Sequence, residues 1–157
     1  MKKGKNGFYC RYIKRLLDIV CALLALIVFG WLYLLLTLLV KIKLGSPVIH
    51  KAKRVGKDNY IFTFYKFRSM SNECDENGNL LPDAQRITKF GALLRASSLD
   101  ELPEIFNILK GDMSVIGPRP LPDIYLPYYT EKEKERHSVR GGLSGLAQVN
   151  GRNALSW

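Results

Sequence analysis

"LLDIVCALLALIVFGWLYLLLTLLV", Leu16 to Val40, is the stretch on which the fold turns. It carries no charge from Ile19 to Val40, and at 1.5 Å per residue these 22 residues cover the roughly 30 Å of a bilayer's hydrocarbon core. A soluble domain within 157 residues could not cover such a run on all sides. A cleaved signal peptide fits poorly, because the run is long and no small-residue cleavage motif follows it. The sequence therefore predicts a basic N-terminus and hydrophobic membrane helix over 1–45, followed by one small domain over 46–157.

Charge is distributed around that run. From Met1 to Lys57 twelve Lys or Arg accompany the single acid Asp18, whereas twelve basic and thirteen acidic residues follow, so the formal charge of +10 belongs to the first third of the chain. Basic residues that flank an apolar segment, with no groove-reading motif and a nearly neutral remainder, argue against nucleic acid as a partner and for an anionic membrane surface. Lys2, Lys3, Lys5, Arg11, Lys14 and Arg15 precede the run, and Lys41, Lys43, Lys51, Lys53 and Arg54 follow it. The positive-inside rule pulls both flanks to the cytoplasm, which a straight span cannot satisfy. A segment that bends and leaves by the face it entered does satisfy it, provided that its backbone groups stay hydrogen-bonded at the bend. Gly30 is the one weak point, at a cost of about 1 kcal/mol to a helix, and no proline breaks the run. Charge favours re-entry, the missing proline favours a straight helix, and both topologies remain open on the residues alone.

Cys10, Cys21 and Cys74 are odd in number and form no CxxC, which points to neither a disulfide framework nor a zinc site. His50 and His137 are too few and too far apart for a metal cluster. Asp75, Asn77 and Asn79 imitate the start of a calcium loop, but Leu80 stands where its glycine belongs and Arg86 where its bidentate glutamate belongs.

Beyond the membrane helix, Val48–Val55 and Tyr60–Arg68 read as strands joined by a turn over Gly56–Asn59. Strand alternation puts Lys66 and Arg68 on one face, where they could meet an anion together. "RITKFGALLRA", Arg86 to Ala96, predicts a short amphipathic helix after Thr88, and "ELPEIFNILK" predicts another that stops at Gly111. For the second helix, Ser98 with Glu101 would form a capping box, whereas Asp100 as N-cap places Pro103 within the first turn at lower steric cost. "EKEKER" reads as a solvated helix face, and "RGGLSG", Arg140 to Gly145, as a glycine-rich turn that lets a backbone approach a ligand. It lacks the Lys and Ser/Thr of a P-loop.

The chemistry centres on "SSLDELPEIFNILKGDMSVIGPRP", Ser97 to Pro120. Adjacent acids at a helix start are commonly dipole decoration worth about 0.3–1 kcal/mol. Asp100 and Glu101 have further company: Arg95 before them, Asp112 after the helix, Arg119 between two prolines, and Arg140 and Arg152 in glycine-rich loops. Arginines around an acid pair, on a chain whose basic end sits in membrane, describe a pocket for a polyanion. Paired carboxylates serve phosphate chemistry by holding Mg2+, or by attacking phosphorus to form an acyl phosphate.

"KRLLDI", "YKFRSM", "RITKFGALLRASSLDELPEIFNILKGDMSVIGPRP" and "RGGLSGLAQVNGR" resemble the bacterial sugar transferases, monotopic phosphoglycosyl transferases that act on polyprenyl phosphate. The resemblance runs from Arg15 to Arg152 and implies a small mixed α/β (α+β) catalytic domain on the cytoplasmic face of the bacterial inner membrane, behind a re-entrant helix. It implies transfer of a sugar phosphate from a UDP-sugar to undecaprenyl phosphate with release of UMP, as the first membrane step of surface glycan assembly. Asp100 matches the nucleophile that forms a covalent phosphosugar, and Glu101 the second acid of the dyad, associated with Mg2+. Arg119 matches the "PRP" arginine as phosphate clamp, with Arg95 and Arg140 as supporting donors. Lys66, Arg68, Asp112, Gln148 and Arg152 are further candidates within the matching blocks.

Two departures accompany the resemblance. The family usually breaks its membrane helix with a proline, and usually continues several dozen residues beyond the "GR" of Gly151-Arg152, whereas this chain stops at Trp157. A noncatalytic or truncated, inactive scaffold of glycan assembly is therefore the alternative expectation.

Overall fold

The structure, a computed structural model, describes residues 7–150. Candidate Arg152 and the basic residues Lys2, Lys3 and Lys5 lie outside them. The apolar run forms one α-helix, α1 (Lys14–Leu44), preceded by a π-helical turn over Tyr9–Ile13. It runs through Gly30 without a break in its helical assignment, and a Cβ there would meet nothing within 4 Å. With the preceding turn it is long and apolar enough to cross a membrane, and Leu24, Ile27, Trp31, Leu34 and Leu38 expose large apolar surface.

The expected strands appear as β1 (Ile49–Val55) and β2 (Ile61–Phe67), paired in a two-stranded sheet. Their turn is a 3-10 turn over Lys57–Asn59 in which Asp58 and Asn59 take positive φ of 54° and 63°, a region that Asx side chains tolerate. The chain folds as two compact units, and β1, β2 and α1 each contribute to both.

One unit comprises Val28–Lys51 and Tyr65–Pro103. Its core joins Leu36 and Val40 of α1 to Phe67 of β2 and Leu94 of α3 (Lys89–Ala96), with Leu32, Tyr33, Phe90, Leu99 and Leu102 around them. Thr88 caps α3 by accepting the Gly91 N–H at 3.0 Å. Gly91 itself lies against the strand-end backbone, where a Cβ would fall 1.8 Å from the Ser69 carbonyl oxygen. The short helix α2 (Asp83–Arg86) precedes α3, and in the loop before it Asp75 Oδ1 accepts the N–H groups of Asn77 and Asn79, a local turn that uses the supposed calcium ligand internally.

The other unit takes the chain up to Ile27, Ala52–Phe64, and Glu104 onward. The helix α4 (Glu104–Lys110) leads through Gly111 at φ 97° into β3 (Met113–Ile116). β3 pairs in parallel with β4 (Gly141–Ser144), in the register Met113 to Gly141 and Ser114 to Gly142. This corrects the reading of "RGGLSG" as a free glycine-rich turn. A Cβ on Gly142 would fall 2.1 Å from the Gly117 nitrogen, and one on Gly141 2.5 Å from Pro120 Cγ, so these glycines admit the Gly117 backbone and the Pro120 ring of "GPRP" rather than a ligand. A 3-10 turn over Asp123–Tyr128 follows that loop; α5 (Glu131–Lys134) opens with a Thr130/Glu133 capping box, and α6 (Leu146–Val149) comes after β4.

Candidate active site

Asp100 and Glu101 sit in a 3-10 turn over Leu99–Glu101, and α4 begins only at Glu104. Neither expected helix start is therefore realised. Ser98 takes the left-handed conformation, φ 59°, with no side-chain cap, and Pro103 immediately precedes α4, where a missing N–H costs least. The dipole argument for Asp100 falls with it. A cation does the work instead: Lys66 of β2 reaches Glu101 Oε1 at 2.9 Å and Asp100 Oδ2 at 3.4 Å.

Both acids are buried, with 5% and 7% of their surface exposed. In such a low-dielectric setting unpaired polar atoms are costly. Asp100 Oδ1 is such an atom, covered from solvent and without a hydrogen-bond partner among the described residues. A buried acceptor without a partner is open to a ligand, an ion or water.

Lys66 and Arg68 do not act together. Arg68 donates to the carbonyls of Ser46, at 2.9 Å, and Leu44, so it caps the C-terminal end of α1, where exposed carbonyls favour a cation. Burial holds its pKa below the ordinary arginine value. In the same unit Arg95 donates Nε to Ser69 Oγ at 2.8 Å, which sets the direction of its guanidinium.

In the other unit Arg119 lies in the loop after β3, and its carbonyl accepts Arg136 Nη2 at 2.9 Å. Its charge acts on Arg54 of β1, a residue the sequence reading used only as a flanking cation. Arg54 lies with Cζ 5.3 Å from the Phe64 ring centroid and is bridged through its backbone to Pro122. Burial first, and then the Arg119 charge, lower the Arg54 pKa, against the opposing pull of Glu104, Asp123 and Tyr125. Nothing in "KRVG" signals this pairing, because it is made across more than sixty residues of sequence. Asp112 accepts Asn107 Nδ2 at 3.2 Å, and Asn107, fully buried, also donates to the Thr63 carbonyl at 2.7 Å; Asp112 thus anchors the α4–β3 turn. Arg140 donates Nε to the Gly111 carbonyl at 2.9 Å. Gln148, on α6, has both polar ends covered and without partners.

Asp18 was missed as well. This one acid of the membrane helix is buried on β3, accepting Ser114 Oγ at 2.7 and 2.9 Å and the Val115 N–H at 2.9 Å, with Lys14 Nζ at 3.3 Å. A lone acid one turn inside an apolar run was the available signal.

Among the described residues no group of three or more His, Cys, Asp or Glu is disposed to hold a metal. Mg2+ needs no such cage, since it keeps waters and takes one or two carboxylates together with substrate phosphates. The Asp100–Glu101 pair, with Oδ1 unpartnered, has that donor chemistry.

A family model described as "bacterial sugar transferase" matches residues 9–157. The chain belongs to that family. This sugar transferase is 51% identical over 145 residues to the "uncharacterized sugar transferase EpsL" of Bacillus subtilis, covering 92% of this chain and 72% of that one. It is 42% identical over 147 residues to the "UDP-N-acetylgalactosamine-undecaprenyl-phosphate N-acetylgalactosaminephosphotransferase" of Aeromonas hydrophila, covering 88% and 34%. It is 41% identical over 145 residues to the "UDP-glucose:undecaprenyl-phosphate glucose-1-phosphate transferase" of Caulobacter vibrioides, covering 88% and 54%. The chain thus spans well under two thirds of the Aeromonas and Caulobacter proteins. The apolar helix, together with these two names, points to association with a membrane.

Proposed function

We propose that this sugar transferase moves a sugar phosphate from a UDP-sugar to undecaprenyl phosphate at the cytoplasmic face of the bacterial inner membrane, as an early step of surface glycan assembly. One observation carries the reading: Asp100 presents a buried carboxylate oxygen with no partner while Lys66 holds its other oxygen and Glu101. The names of the Aeromonas and Caulobacter relatives support the substrate class.

In the first step Asp100 Oδ1 attacks the phosphorus that bears the sugar, forming an O–P bond as the bridging P–O bond breaks. UMP leaves with that electron pair. In the second step an oxygen of undecaprenyl phosphate attacks the same phosphorus, the aspartyl bond breaks, and the Asp100 carboxylate is restored with a polyprenyl diphosphate sugar as product. Lys66 keeps the acid pair oriented and partly neutralised. Asp100 and Glu101 would hold Mg2+, which supplies neutralisation of the phosphoryl oxygens. Arg95, in the unit of the acid pair, is assigned as a donor to substrate phosphates, and the family resemblance alone adds Arg119 and Arg140.

The proposed topology is re-entrant. Arg15, near the start of α1, donates both terminal amines to the Ile108 and Leu109 carbonyls, and the Leu44 end is capped by Arg68. Each end is thus bonded to polar, folded chain, which belongs in water rather than in lipid.

The test is incubation with a panel of UDP-sugars and Mg2+, first without acceptor and then with undecaprenyl phosphate. A sugar phosphate adduct on the Asp100 peptide by mass spectrometry, followed by UMP and lipid product in equal amounts, is expected. Absence of UMP release with every donor would leave the noncatalytic scaffold as the reading. Cysteines placed at 7 and 45 and labelled in sealed vesicles check the topology, and reactivity from opposite sides would exclude re-entry.

A further inference from the structure

A cavity of about 480 Å³ opens at the N-terminal end of the membrane helix, entirely within one unit. Its wall carries four cations, Arg11 from the π-helical turn, Lys14 from α1, Arg140 before β4, and Lys57 from the β1–β2 turn, with its Nζ 3.7 Å from the exposed Asp58 Oδ2. Asp18 is the one acid of the lining, and it is already satisfied by Ser114, Val115 and Lys14. Arg140 spends only Nε on protein, on the Gly111 carbonyl. The remaining donors of its fork have no protein acceptor among the described residues, and a planar fork of that kind suits phosphate.

Depth in the membrane is written beside it. Phe8, Tyr9 and Tyr12 are exposed on the turn that leads into α1, where aromatic side chains mark the head-group level. Leu16, Leu17 and Val20 begin the exposed apolar face immediately after it, and Ile116, on the cavity wall, is exposed as well. A concave cationic site at that level, with apolar surface running away from it, matches an anionic head attached to a hydrocarbon tail.

We propose that this cavity seats the phosphate head group of a membrane lipid of net negative charge, with Arg11, Lys57 and Arg140 as its donors. The proposal rests on α1 lying in the membrane and is independent of turnover. Undecaprenyl phosphate and an anionic phospholipid share the recognised chemistry, so the measurement separates them.

The full chain, purified in neutral detergent, is titrated by native mass spectrometry with undecaprenyl phosphate, phosphatidylglycerol, phosphatidylcholine and inorganic phosphate. Saturable binding of either anionic lipid, at least about tenfold tighter than phosphatidylcholine, is expected, since each basic residue near a charged head contributes about fivefold. The double variant Arg11→Gln/Lys57→Gln loses about 25-fold on the same basis, while Lys43→Gln, at the opposite end of α1, stays unchanged. Ser138→Asp, which adds an acid to the wall without removing a cation, provides a second variant with the same expected loss. Preference for undecaprenyl phosphate makes the cavity an acceptor seat, and equal binding of phosphatidylglycerol makes it a general lipid-phosphate seat; both uphold it. Equal binding of phosphatidylcholine, displacement of the lipid by equimolar inorganic phosphate, or unchanged binding in both folded variants would overturn it. Sugar transfer can fail in every one of these cases without affecting the readout.

Discussion

Asp18 and Asp100 are almost equally buried, at 4% and 5% exposure, and their surroundings assign them opposite work. Asp18 receives a hydroxyl, a backbone N–H and an ammonium, so both of its oxygens are engaged and it fastens the membrane helix to β3. Asp100 shares one lysine with Glu101 and keeps an oxygen without a partner. Burial alone therefore does not separate the two carboxylates; their hydrogen-bond partners do.

The largest expected effect comes from Asp100→Asn, which preserves shape and removes the attacking anion. Turnover falls by at least about 10⁴-fold with the thermal midpoint in detergent unchanged or raised, and activity near wild type would end the nucleophile assignment. Gly142→Ala attacks the other half of the comparison. Its methyl group meets the Gly117 nitrogen and displaces the register partner of Ser114, so a loss of about 3 kcal/mol is expected by denaturant titration. Asp18→Ala leaves Ser114 and Val115 without their acceptor and costs about 2 kcal/mol, while the rate per folded molecule is retained. A lost rate at full stability would make Asp18 reactive and erase the distinction. Lys66→Met removes the cation that both acids share and lowers turnover by about 10–100-fold, because a buried charge network loses one of its partners.

The smallest effect tests a third, intermediate case. His137 bonds Asn59 through Nδ1 at 2.7 Å and leaves Nε2 buried without a partner. Burial first, and the Arg136 charge second, lower its pKa from the ordinary 6.5. The unfolded chain therefore binds the proton more readily than the folded one. Its contribution to stability is complete above pH 6.5 and is lost as the pH falls from there through the folded value. Chemical denaturation between pH 5 and 8 should show that slope, and His137→Gln should flatten it.

Much of this was legible because it is local. The apolar run, Thr88 before an amphipathic helix, and β-branched and aromatic stretches on either side of "GKDN" each announce an element within a few residues. Asp100, Glu101 and Arg119 stand out in the sequence only through motif resemblance, which proposes their roles. Local signals misled where two rules compete: a capped helix at Asp100 agrees with the dipole rule, yet the chain makes a 3-10 turn there and starts α4 past Pro103. Arg68 pairs by strand alternation with Lys66, but it sits at the strand's end, where it turns to the α1 carbonyls. The glycines of "RGGLSG" signal close approach, without naming what approaches.

The sequence by itself therefore determined a long apolar helix flanked by basic residues, a small mixed domain and an adjacent pair of acids. Tertiary structure decided which charges meet. Lys66 and Asp100 are 34 residues apart, and Asp18 and Ser114 are 96 apart. Contacts over such separations leave no periodicity in the chain, because the energy that forms them comes from burying both partners at once. For that reason the sequence could say that Asp100 is charged, and only the fold could leave one of its oxygens unbonded.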